Sequence, residues 1–424
     1  MRQPVRIAVS WGALACAFVI GVSVASVNQS DTNSAAGESP TASPISTAPL
    51  ESCDASSGSV SATLTGGTEW HLCWHIDSRT GLTLSEVSYT AAGSEPLTVI
   101  RQAALAQIDV PYDSGTKEHL DLPAFGTLTN ASDVQASDCP DGNLAAASTD
   151  DRALLCEAVV SDGAAYEWDD YDFGSVTHRA ESQCLEVYTV TPADWYTYMD
   201  AWDFCSDGRI VAKVGASGTL APAPGGFGDE TDGQAVGQGS TRYALNHYHN
   251  VFWRVQFGLD DAGPAAISTV STTGAAHRET TRTPIGAETA MQSAPDRSWM
   301  VTDQGRTNAD GHAVGYDVDL HNDSPYRGVT GHGYTDNDFY VTQQKPCEVL
   351  AAGNSTVDGC SSSVDQYVGN DHLTDPVAWL QTSFHHLPRD EDEPVVDEHW
   401  QGFTLMPRNV AATNPLGVGL PSNQ

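Results

Sequence analysis

One stretch of sequence indicates both a β-strand and a possible metal site. It is Asn246-His-Tyr-His-Asn250, followed directly by Val251-Phe-Trp-Arg-Val-Gln-Phe257. The second segment is rich in β-branched and aromatic residues, which favours a β-strand. On a strand, side chains two positions apart lie on the same face. His247 and His249 can therefore reach one metal ion from a single strand. Most isolated His-x-His pairs have a structural or surface role, so the assignment depends on the surrounding sequence.

A third imidazole lies far along the chain, in His385-His-Leu-Pro-Arg-Asp-Glu-Asp392. With His247 and His249, His386 would complete a set of three nitrogen ligands. Such a set suits Cu(II) or Zn(II) and leaves coordination positions open for water or substrate. The sequence thus predicts a metal centre that could bind or activate a small molecule.

Strand signals dominate the remainder of the chain. Leu185-Glu-Val-Tyr-Thr-Val190 and Arg209-Ile-Val-Ala-Lys-Val214 alternate or carry β-branched residues, and Gly and Pro interrupt the sequence throughout. Long helical periodicity is scarce, although residues 98–106 could form a short turn or helix. This pattern predicts an all-β protein, a large β-sandwich that buries alternating residues between two sheets.

The charge balance restricts the possible partners. The chain has 55 acidic and 19 basic residues, a net charge of -36. We expect no nucleic-acid partner, because phosphate binding needs concentrated Lys and Arg. The negative electrostatic field of such a protein would attract cationic substrates such as amines. Solubility outside the cell or in high salt explains the same acidity and is the simpler reason for it.

The N-terminus is typical of an exported protein. Arg2 and Arg6 precede an apolar run over residues 7–25 that ends in small residues, as in a signal peptide. The run is also close to the length of a membrane span, so residues 1–25 are either a cleaved signal or an anchor. Residues 26–52 are rich in Ser, Thr, Pro and Ala, which predicts a disordered linker. The protein is therefore expected to be secreted, or anchored to the outer face of the membrane.

Eight cysteines follow the apolar run, and an even number in an exported chain predicts disulfides. Sequence alone permits 105 ways of connecting eight cysteines. Proximity along the chain favours the following pairs: Cys53 with Cys73, Cys139 with Cys156, Cys184 with Cys205, and Cys347 with Cys360.

Several further segments, in order along the chain, carry a resemblance to one family. They are Trp74-His-Ile-Asp-Ser-Arg-Thr-Gly-Leu-Thr-Leu84, Ala106-Gln-Ile-Asp-Val-Pro-Tyr112, Asn246-His-Tyr-His249, His386-Leu-Pro-Arg389 with Glu391-Asp392 and Pro394-Val395, and Phe403-Thr-Leu with Pro407 and Asn414-Pro415. From about Trp70 to about Pro415 the chain resembles the copper amine oxidases, enzymes that convert one of their own tyrosines into a quinone. The resemblance implies that His247, His249 and His386 are copper ligands. It also implies the Cys139–Cys156 disulfide.

The resemblance implies a precursor for the quinone as well. Leu185 to Gly208 aligns without gaps with the family's cofactor strand, which places Tyr196 at the precursor position and Tyr198 at a second tyrosine. Trp195 and Thr197 depart from the family's Asn and acidic residue. Trp195 is bulky and cannot accept a hydrogen bond, which affects the orientation or formation of a quinone. A register shifted by one residue would put Trp195 itself at the precursor position.

A catalytic base and a partner for the quinone are also implied. Asp121, in His119-Leu-Asp121-Leu-Pro-Ala-Phe125, corresponds to the family's base, and His119 corresponds to its gate tyrosine. A carboxylate in an apolar pocket has its pKa raised toward neutrality, which suits proton abstraction. Tyr112 matches the tyrosine that hydrogen-bonds the quinone oxygen. A solvated loop carboxylate is the alternative interpretation of Asp121.

A peripheral calcium-type site of the family is not expected to be kept. Its two carboxylate positions are occupied here by Gln256 and Gly258, with Asp260 and Asp261 just beyond. Neither a glutamine nor a glycine side chain supplies the anionic oxygen that calcium prefers.

The resemblance implies a domain over residues 53–424 with the family's catalytic β-sandwich, which forms a homodimer. It implies Cu(II) and topaquinone derived from Tyr196 as cofactors, and a small primary amine and O2 as substrates, giving an aldehyde, ammonia and hydrogen peroxide. Two other hypotheses remain open. One is a copper-binding protein of the same fold without a quinone, motivated by Trp195 and Thr197. The other is an extracellular binding module without metal, against which the three histidines argue.

Overall fold

The structure is a computed structural model, and it describes residues 53–54, 57–115, 117–125, 133–140, 142–146, 152–170, 176–221, 226–239, 242–259, 263–322, 324–328, 332–356, 359–417 and 419–420. These residues lie in one compact unit, Ala42–Gln424. The expected signal peptide or anchor and the expected linker lie outside the described residues. Within the described ranges, no helix has the length and apolar character that a membrane span requires.

Among the described residues, strands are the main secondary structure and helices are few and short, as the sequence predicts. The strands are β1 Gly58–Leu64, β2 Thr68–Asp77, β3 Gly81–Thr90, β4 Leu97–Pro111, β5 Glu118–Leu120, β6 Asn143–Ala146, β7 Ala153–Asp170, β8 Val176–Ala193, β9 Tyr196–Cys205, β10 Ile210–Gly218, β11 Gly233–Val236, β12 Arg242–Leu245, β13 His247–Phe257, β14 Ala266–Thr273, β15 Glu279–Pro284, β16 Thr289–Met291, β17 Arg297–Thr307, β18 Ala313–His321, β19 Phe339–Gln343, β20 Pro376–His386 and β21 Val396–Arg408. The helical segments are short: α1 Leu122–Phe125, α2 Val364–Tyr367 and single 3-10 turns at Thr65–Gly67, Gly333–Thr335 and Asp390–Asp392.

Two large antiparallel sheets form the sandwich. The first, sheet A, has the order β1-β2-β3-β4-β13-β20-β19-β16, with β5 paired to β4. The second, sheet B, has the order β15-β14-β17-β18-β21-β10-β9-β8-β7-β6. Strands β11 and β12 form a separate hairpin. The strand carrying His247 and His249 is therefore central in sheet A, and the strand carrying Tyr196 is central in sheet B.

The core lies between the two sheets and is filled by large aromatic side chains. Trp70 of sheet A packs on Phe204 of sheet B with ring centroids 5.2 Å apart. Trp253 of sheet A meets Phe403 of sheet B at 5.4 Å. Because alternate residues of β9 are buried, Tyr196, a residue of that strand, faces the same interior. The inner faces of β9 and β13 thus meet across the core, which brings distant parts of the chain into one site.

The expectation of a short turn or helix over residues 98–106 is wrong. These residues belong to β4, the longest strand of sheet A. Their Ala, Gln and Leu residues are good helix formers, but β4 pairs with β3 on one side and β13 on the other. Burial between two hydrogen-bonded neighbours outweighs the weak local propensity.

All four disulfides expected from proximity are present. They join Cys53 to Cys73, Cys139 to Cys156, Cys184 to Cys205 and Cys347 to Cys360. The Cys184–Cys205 bond links β8 to β9 directly opposite each other, at the far end of the strand that begins with Tyr196. It therefore ties the strand bearing the candidate precursor to its neighbour.

Candidate metal and cofactor site

Strand pairing places the three candidate ligands together. His247 lies directly opposite His386 on the neighbouring β20, and His249 lies opposite Phe384. All three histidines are buried, with His249 fully so. The ring centroids of His247 and His386 are 4.8 Å apart, and those of His247 and His249 are 5.1 Å apart. Two adjacent strands thus present three imidazoles to one region of the interior.

The hydrogen bonds of each imidazole fix which of its nitrogens carries the proton. His247 Nδ1 lies 3.1 Å from the carbonyl oxygen of Leu245, so Nδ1 is the donor and Nε2 keeps its lone pair. His386 Nε2 lies 3.0 Å from Oδ2 of Asp392, so Nε2 donates and Nδ1 keeps its lone pair. The two lone pairs, on His247 Nε2 and His386 Nδ1, then face each other at 3.2 Å.

The protonated nitrogen of His249 follows from its contact with Tyr198. The Tyr198 hydroxyl donates to Oδ2 of Asp121 at 2.6 Å, which uses its only proton. Its oxygen, 3.3 Å from His249 Nδ1, can therefore only accept, so His249 donates from Nδ1. His249 Nε2 is left buried without a hydrogen-bond partner among the described residues. All three imidazoles thus keep a lone pair that their other hydrogen bonds do not use.

This donor set fits a metal cation. Two imidazole lone pairs at 3.2 Å repel each other, and the Tyr196 hydroxyl, 2.9 Å from His247 Nε2 and 3.2 Å from His386 Nδ1, has one proton to donate to the two of them. A metal cation would satisfy both lone pairs. A proton is a poor candidate, because burial lowers the pKa of His247 to about 3, with His386 adding to the effect. Burial likewise lowers the pKa of His249 well below its ordinary value. Neutral imidazoles with free lone pairs are what Cu(II) and Zn(II) bind.

The three inward nitrogens do not all lie within 4.8 Å of one another. The structure therefore brings the ligand set together without drawing it to coordination distances. Within the described ranges, two different groups of three side chains do have ligand atoms within 4.8 Å of one another. One is Asp162 with Cys184 and Cys205, whose sulfurs are already used in a disulfide. The other is His119 with Asp121 and Asp194, at the edge of the same site.

Tyr196 points its hydroxyl at the paired histidines. Its oxygen lies 2.9 Å from His247 Nε2 and 3.2 Å from His386 Nδ1. The ring packs edge-on to His249, with centroids 4.8 Å apart. Burial raises the pKa of the phenol well above its ordinary value. Tyr196, at the expected precursor position, is thus the tyrosine whose hydroxyl contacts both His247 and His386, while Tyr198 contacts His249.

Trp195 would take the precursor position if the alignment were shifted by one residue. It lies outside the contact between Tyr196 and the two histidines. It precedes β9, is only partly buried and packs edge-on against His119 at 5.0 Å. Its carbonyl accepts the backbone N–H of Thr219. The Lys117 ammonium lies 5.7 Å from the Trp195 ring. Trp195 therefore forms part of the wall beside the site, together with His119.

Asp121 is placed beside the second tyrosine of β9. It directly precedes α1 and accepts the Tyr198 hydroxyl, whose ring lies 5.9 Å from that of Tyr196. Burial raises the pKa of Asp121 to about 6, and the neighbouring Asp194 adds to this, while the hydrogen bond from Tyr198 acts in the opposite direction. A carboxylate with such a pKa can exchange a proton near neutral pH. This environment favours the catalytic base over a solvated loop carboxylate, and the role of Asp121 stays a prediction.

Tyr112 closes the other side of the site. Its ring stacks on His247 with centroids 4.9 Å apart. Its hydroxyl is buried and has no hydrogen bond of ordinary geometry among the described residues. Burial raises the pKa of Tyr112 to about 12, with the Trp195 indole acting the other way. An unpartnered buried hydroxyl next to Tyr196 is suited to pair with an additional oxygen on that ring.

A cleft of about 650 Å³ adjoins this side of the site, since Tyr112 and Lys117 belong to its lining. Its remaining lining includes the carboxylates Asp113, Glu118 and Asp232. The cleft gives a small molecule a route to the wall formed by Tyr112.

Three contacts of the site were not expected from sequence. Asp392 fixes the tautomer of His386, the Leu245 carbonyl fixes that of His247, and Asp194 lies 3.5 Å from His119. Asp392 could have been found, since it is part of the matched segment six residues after His386. The other two depend on how loops fold back, which spacing does not encode.

At the expected calcium-type position, Gln256 donates its side-chain amide to both oxygens of Asp375, at 2.8 Å and 3.0 Å. A hydrogen-bond donor therefore points at that carboxylate. Whether the chain has lost the calcium-type site stays a prediction.

Comparison with known proteins assigns the family. The model of the copper amine oxidase enzyme domain matches residues 67–424. Primary amine oxidase 1 of Arabidopsis thaliana is 25% identical over 82% of this chain and 61% of its own length. Copper methylamine oxidase of Arthrobacter sp. (strain P1) is 24% identical over 84% of this chain and 60% of its own length.

Solved structures show the same fold. Copper-containing benzylamine oxidase of Hansenula polymorpha superposes with a TM-score of 0.69 at 18% identity, covering 89% of this chain and 64% of that one. Aspergillus nidulans amine oxidase gives a TM-score of 0.67 at 19% identity, covering 82% of this chain and 52% of that one. The chain spans about 60% of the length of the relatives it matches in sequence. On the family match, this chain belongs to the copper amine oxidase family, and the matched part is its enzyme domain.

Proposed function

We propose that this protein oxidises a primary amine with O2 to an aldehyde, ammonia and hydrogen peroxide. The observation that carries the proposal is the placement of the Tyr196 hydroxyl 2.9 Å from His247 Nε2 and 3.2 Å from His386 Nδ1. Cu(II) bound by His247, His249 and His386 would supply redox chemistry with O2, and a topaquinone derived from Tyr196 would accept electrons from the amine. Family membership supports amine oxidation in general.

The side chains around Tyr196 have separable tasks in this proposal. Asp392, the Leu245 carbonyl and Tyr198 hold the three imidazoles in the tautomers that leave lone pairs for copper. Tyr112 stacks on His247 and supplies a buried hydroxyl for an oxygen on the modified Tyr196 ring. These groups orient the reacting ring before substrate arrives.

Asp121 is proposed to remove the α-proton of the bound amine. Its Oδ2 accepts the Tyr198 hydroxyl, and burial holds its pKa at about 6. Above that pH the carboxylate is ionised and can accept a proton, while its raised pKa makes it a stronger base than an exposed aspartate. The aromatic rings of Phe125 and Tyr198 pack together next to it and help to exclude water.

Secretion and dimerisation belong to the same proposal. Secretion, or anchoring at the outer face of the membrane, is supported by the N-terminal pattern and by four disulfides, which persist in oxidising compartments. Homodimerisation is supported only by family resemblance.

A second candidate function is copper binding without a quinone. Trp195 and Thr197, which flank Tyr196, favour it because they replace the residues that the family uses there. In this alternative the histidines and their tautomer-fixing contacts serve only to hold copper. The protein would then bind copper at one per chain and form no peroxide with any amine.

The proposed activity is tested by incubating copper-loaded, aerated protein with a panel of primary amines and measuring peroxide and aldehyde together. Equal amounts of both products, absent from metal-free protein, are the expected result. Trimethylated analogues of the same amines serve as matched controls, since they keep the cationic charge and have no N–H to condense. Peroxide from these controls, or from no amine at all, would contradict the proposal.

A further inference from the structure

A polar pocket lies in sheet A on the face opposite to His249, away from the site above. One row of directly opposed residues crosses four strands there: His75 on β2, Thr83 on β3, Ala104 on β4 and Arg254 on β13. Residues opposite each other in antiparallel strands share a face. Because the Ala104 side chain is so small, the row has a gap between its neighbours, and a pocket of about 240 Å³ opens at this point.

Arg254 forms one wall of the pocket and is only 7% exposed. It donates to the Glu348 carbonyl oxygen at 3.1 Å, to Gln102 Oε1 at 3.3 Å and to Gln344 Oε1. Its guanidinium also lies 5.6 Å from the centroid of the Trp379 ring. All three acceptors are uncharged. In the part of the chain that the structure describes, no carboxylate oxygen comes within 4.0 Å of this guanidinium.

A buried guanidinium normally has an anionic partner, since burial of an uncompensated charge is unfavourable. Burial lowers the pKa of Arg254 to about 10, although Glu348 and Asp375 act in the opposite direction at longer range. Even so, Arg254 stays cationic at neutral pH. A guanidinium has five N–H donors, so two remain beyond the three hydrogen bonds described.

The neighbouring groups add donors and few acceptors. Gln102 and Gln344 direct their carbonyl oxygens at Arg254, which leaves their side-chain NH2 groups as the free ends of the carboxamides. Thr80 and Thr83 also line the pocket, with hydroxyls 3.2 Å apart. The Thr80 hydroxyl donates to Oδ1 of Asp77 at 3.4 Å, so of the two only Thr83 has a proton for an anion.

The charges around the pocket do not cancel. Arg79 and Asp77 both line the pocket, and Arg79 Nε lies 3.8 Å from Asp77 Oδ1, so the two charges offset each other. This contact uses Nε alone, and the terminal NH2 groups of Arg79 remain as donors for an anion. Asp77 Oδ1 is further occupied by the backbone N–H of Arg79. Glu348 is paired with Lys345 at 3.4 Å. Among the described residues, the positive charge of Arg254 thus has no direct anionic partner, in a protein whose net charge is -36.

We propose that this pocket binds a small inorganic oxyanion of the size of phosphate or sulfate. Tetrahedral oxyanions accept hydrogen bonds in several directions, which matches guanidinium, carboxamide and hydroxyl donors around one gap. The pocket lies about 24 Å along β13 from His247, from seven residues at the usual rise of a strand. It is therefore separate from the candidate amine oxidase site and does not depend on that activity.

Binding has a structural consequence for the segment that covers the pocket. Gln344, Pro346 and Val349 belong to the lining, and Arg254 holds the backbone of Glu348 in the same segment. A bound oxyanion would add contacts between this segment and the sheet, so the protein should unfold at a higher temperature when the anion is present.

The test is a phosphate titration of the full-length protein at low ionic strength, followed by calorimetry and by the midpoint of thermal unfolding. Chloride at equal ionic strength controls for screening. Saturable binding near one phosphate per chain, with a rise in the midpoint that chloride does not reproduce, is expected. Absence of saturable binding in the wild-type protein would overturn the proposal.

Two variants locate the binding. Arg79→Gln removes a donor from an exposed side chain and should weaken phosphate binding about tenfold, the effect of one charge-assisted hydrogen bond. Ala104→Val fills the gap and should weaken it at least as much. Arg179→Gln removes the same charge on the exposed β7–β8 hairpin and should bind like the wild type. Wild-type affinity in either pocket variant, or equal weakening by Arg179→Gln, would place the anion elsewhere.

Discussion

Oδ2 of Asp392 accepts a hydrogen bond from Nε2 of His386 at 3.0 Å, while both side chains are buried. Burial acts to raise the pKa of Asp392, but the Arg389 backbone N–H and His386 together lower it. Asp392 is therefore ionised and acts as the acceptor. This contact fixes His386 with a free lone pair on Nδ1, the nitrogen that faces His247 and Tyr196.

The hydrogen bond between Asp392 and His386 should strengthen copper binding. Asp392→Asn should weaken copper binding about 10- to 100-fold, since the loss of an outer carboxylate leaves the ligand's tautomer and basicity less well defined. Copper affinity measured by competition with a chelator checks this. Asp397→Asn, a change of the same kind at an exposed residue nearby, should leave the affinity unchanged. Equal affinities in the wild-type protein and in Asp392→Asn would show that Asp392 has no role in the metal site.

The pH dependence of the reaction should report Asp121. Because the base must be deprotonated to accept a proton, kcat/KM should rise with pH through about 6, the pKa that burial gives this carboxyl, and then level off. Asp121→Asn should lower kcat by about 10²- to 10⁴-fold, the usual contribution of a positioned base. A pH–rate profile measured with one amine checks both.

Tyr198→Phe provides the matched control for this assignment. It removes the hydrogen bond that lowers the pKa of Asp121, so the acid limb should move to higher pH. Copper content has to be measured in parallel, since Tyr198 also contacts His249. An acid limb that stays in place in this variant would mean that another group controls the profile.

Stability should also depend on pH, through Asp200. This residue is fully buried on β9, and neither of its carboxylate oxygens has a hydrogen bond of ordinary geometry among the described residues. Burial raises its pKa to about 8, with the Trp202 indole acting the other way. The folded protein therefore keeps a proton that the unfolded chain releases between pH about 4 and 8. The free energy of unfolding should fall as pH rises through this window, by up to roughly 5 kcal/mol for four pKa units.

Asp200→Asn removes this titration. Urea unfolding at a series of pH values should give a flatter pH dependence and a higher stability above pH about 8 in the variant, because an amide stays neutral when the carboxylate must ionise. Asp397→Asn, at an exposed position, again serves as the control. A variant with the same pH slope as the wild type would show that Asp200 is not the group responsible.

Sequence patterns predicted much of this fold because they reflect burial. The patterns over residues 185–190 and 209–214, now in β8 and β10, and the β-branched run after His249 correspond to strands that bury one or both faces. The same patterns failed at residues 98–106, where local propensity favours a helix and pairing on both sides imposes a strand. The pairing partners lie far away in the sequence, so no local window contains the deciding information.

The candidate site, like the fold, could be predicted from sequence only in part. Spacing placed His247 and His249 on one face, and motif resemblance added His386, Tyr196 and Asp121. Sequence did not reveal the contacts that give these residues their chemistry, such as Tyr198 bridging Asp121 and His249. Such contacts cross between sheets A and B, and they depend on how the two inner faces are aligned.

The most direct test of the central claim, that Tyr196 becomes a quinone beside copper, is a phenylhydrazine titration of copper-loaded, aerated protein followed by visible absorbance. If Tyr196 becomes the quinone, a coloured adduct near one per chain should form, and it should be lost in Tyr196→Phe and retained in Tyr243→Phe, a tyrosine outside the site. Copper bound at one per chain with no adduct in the wild-type protein would contradict it and favour the copper-binding protein without a quinone.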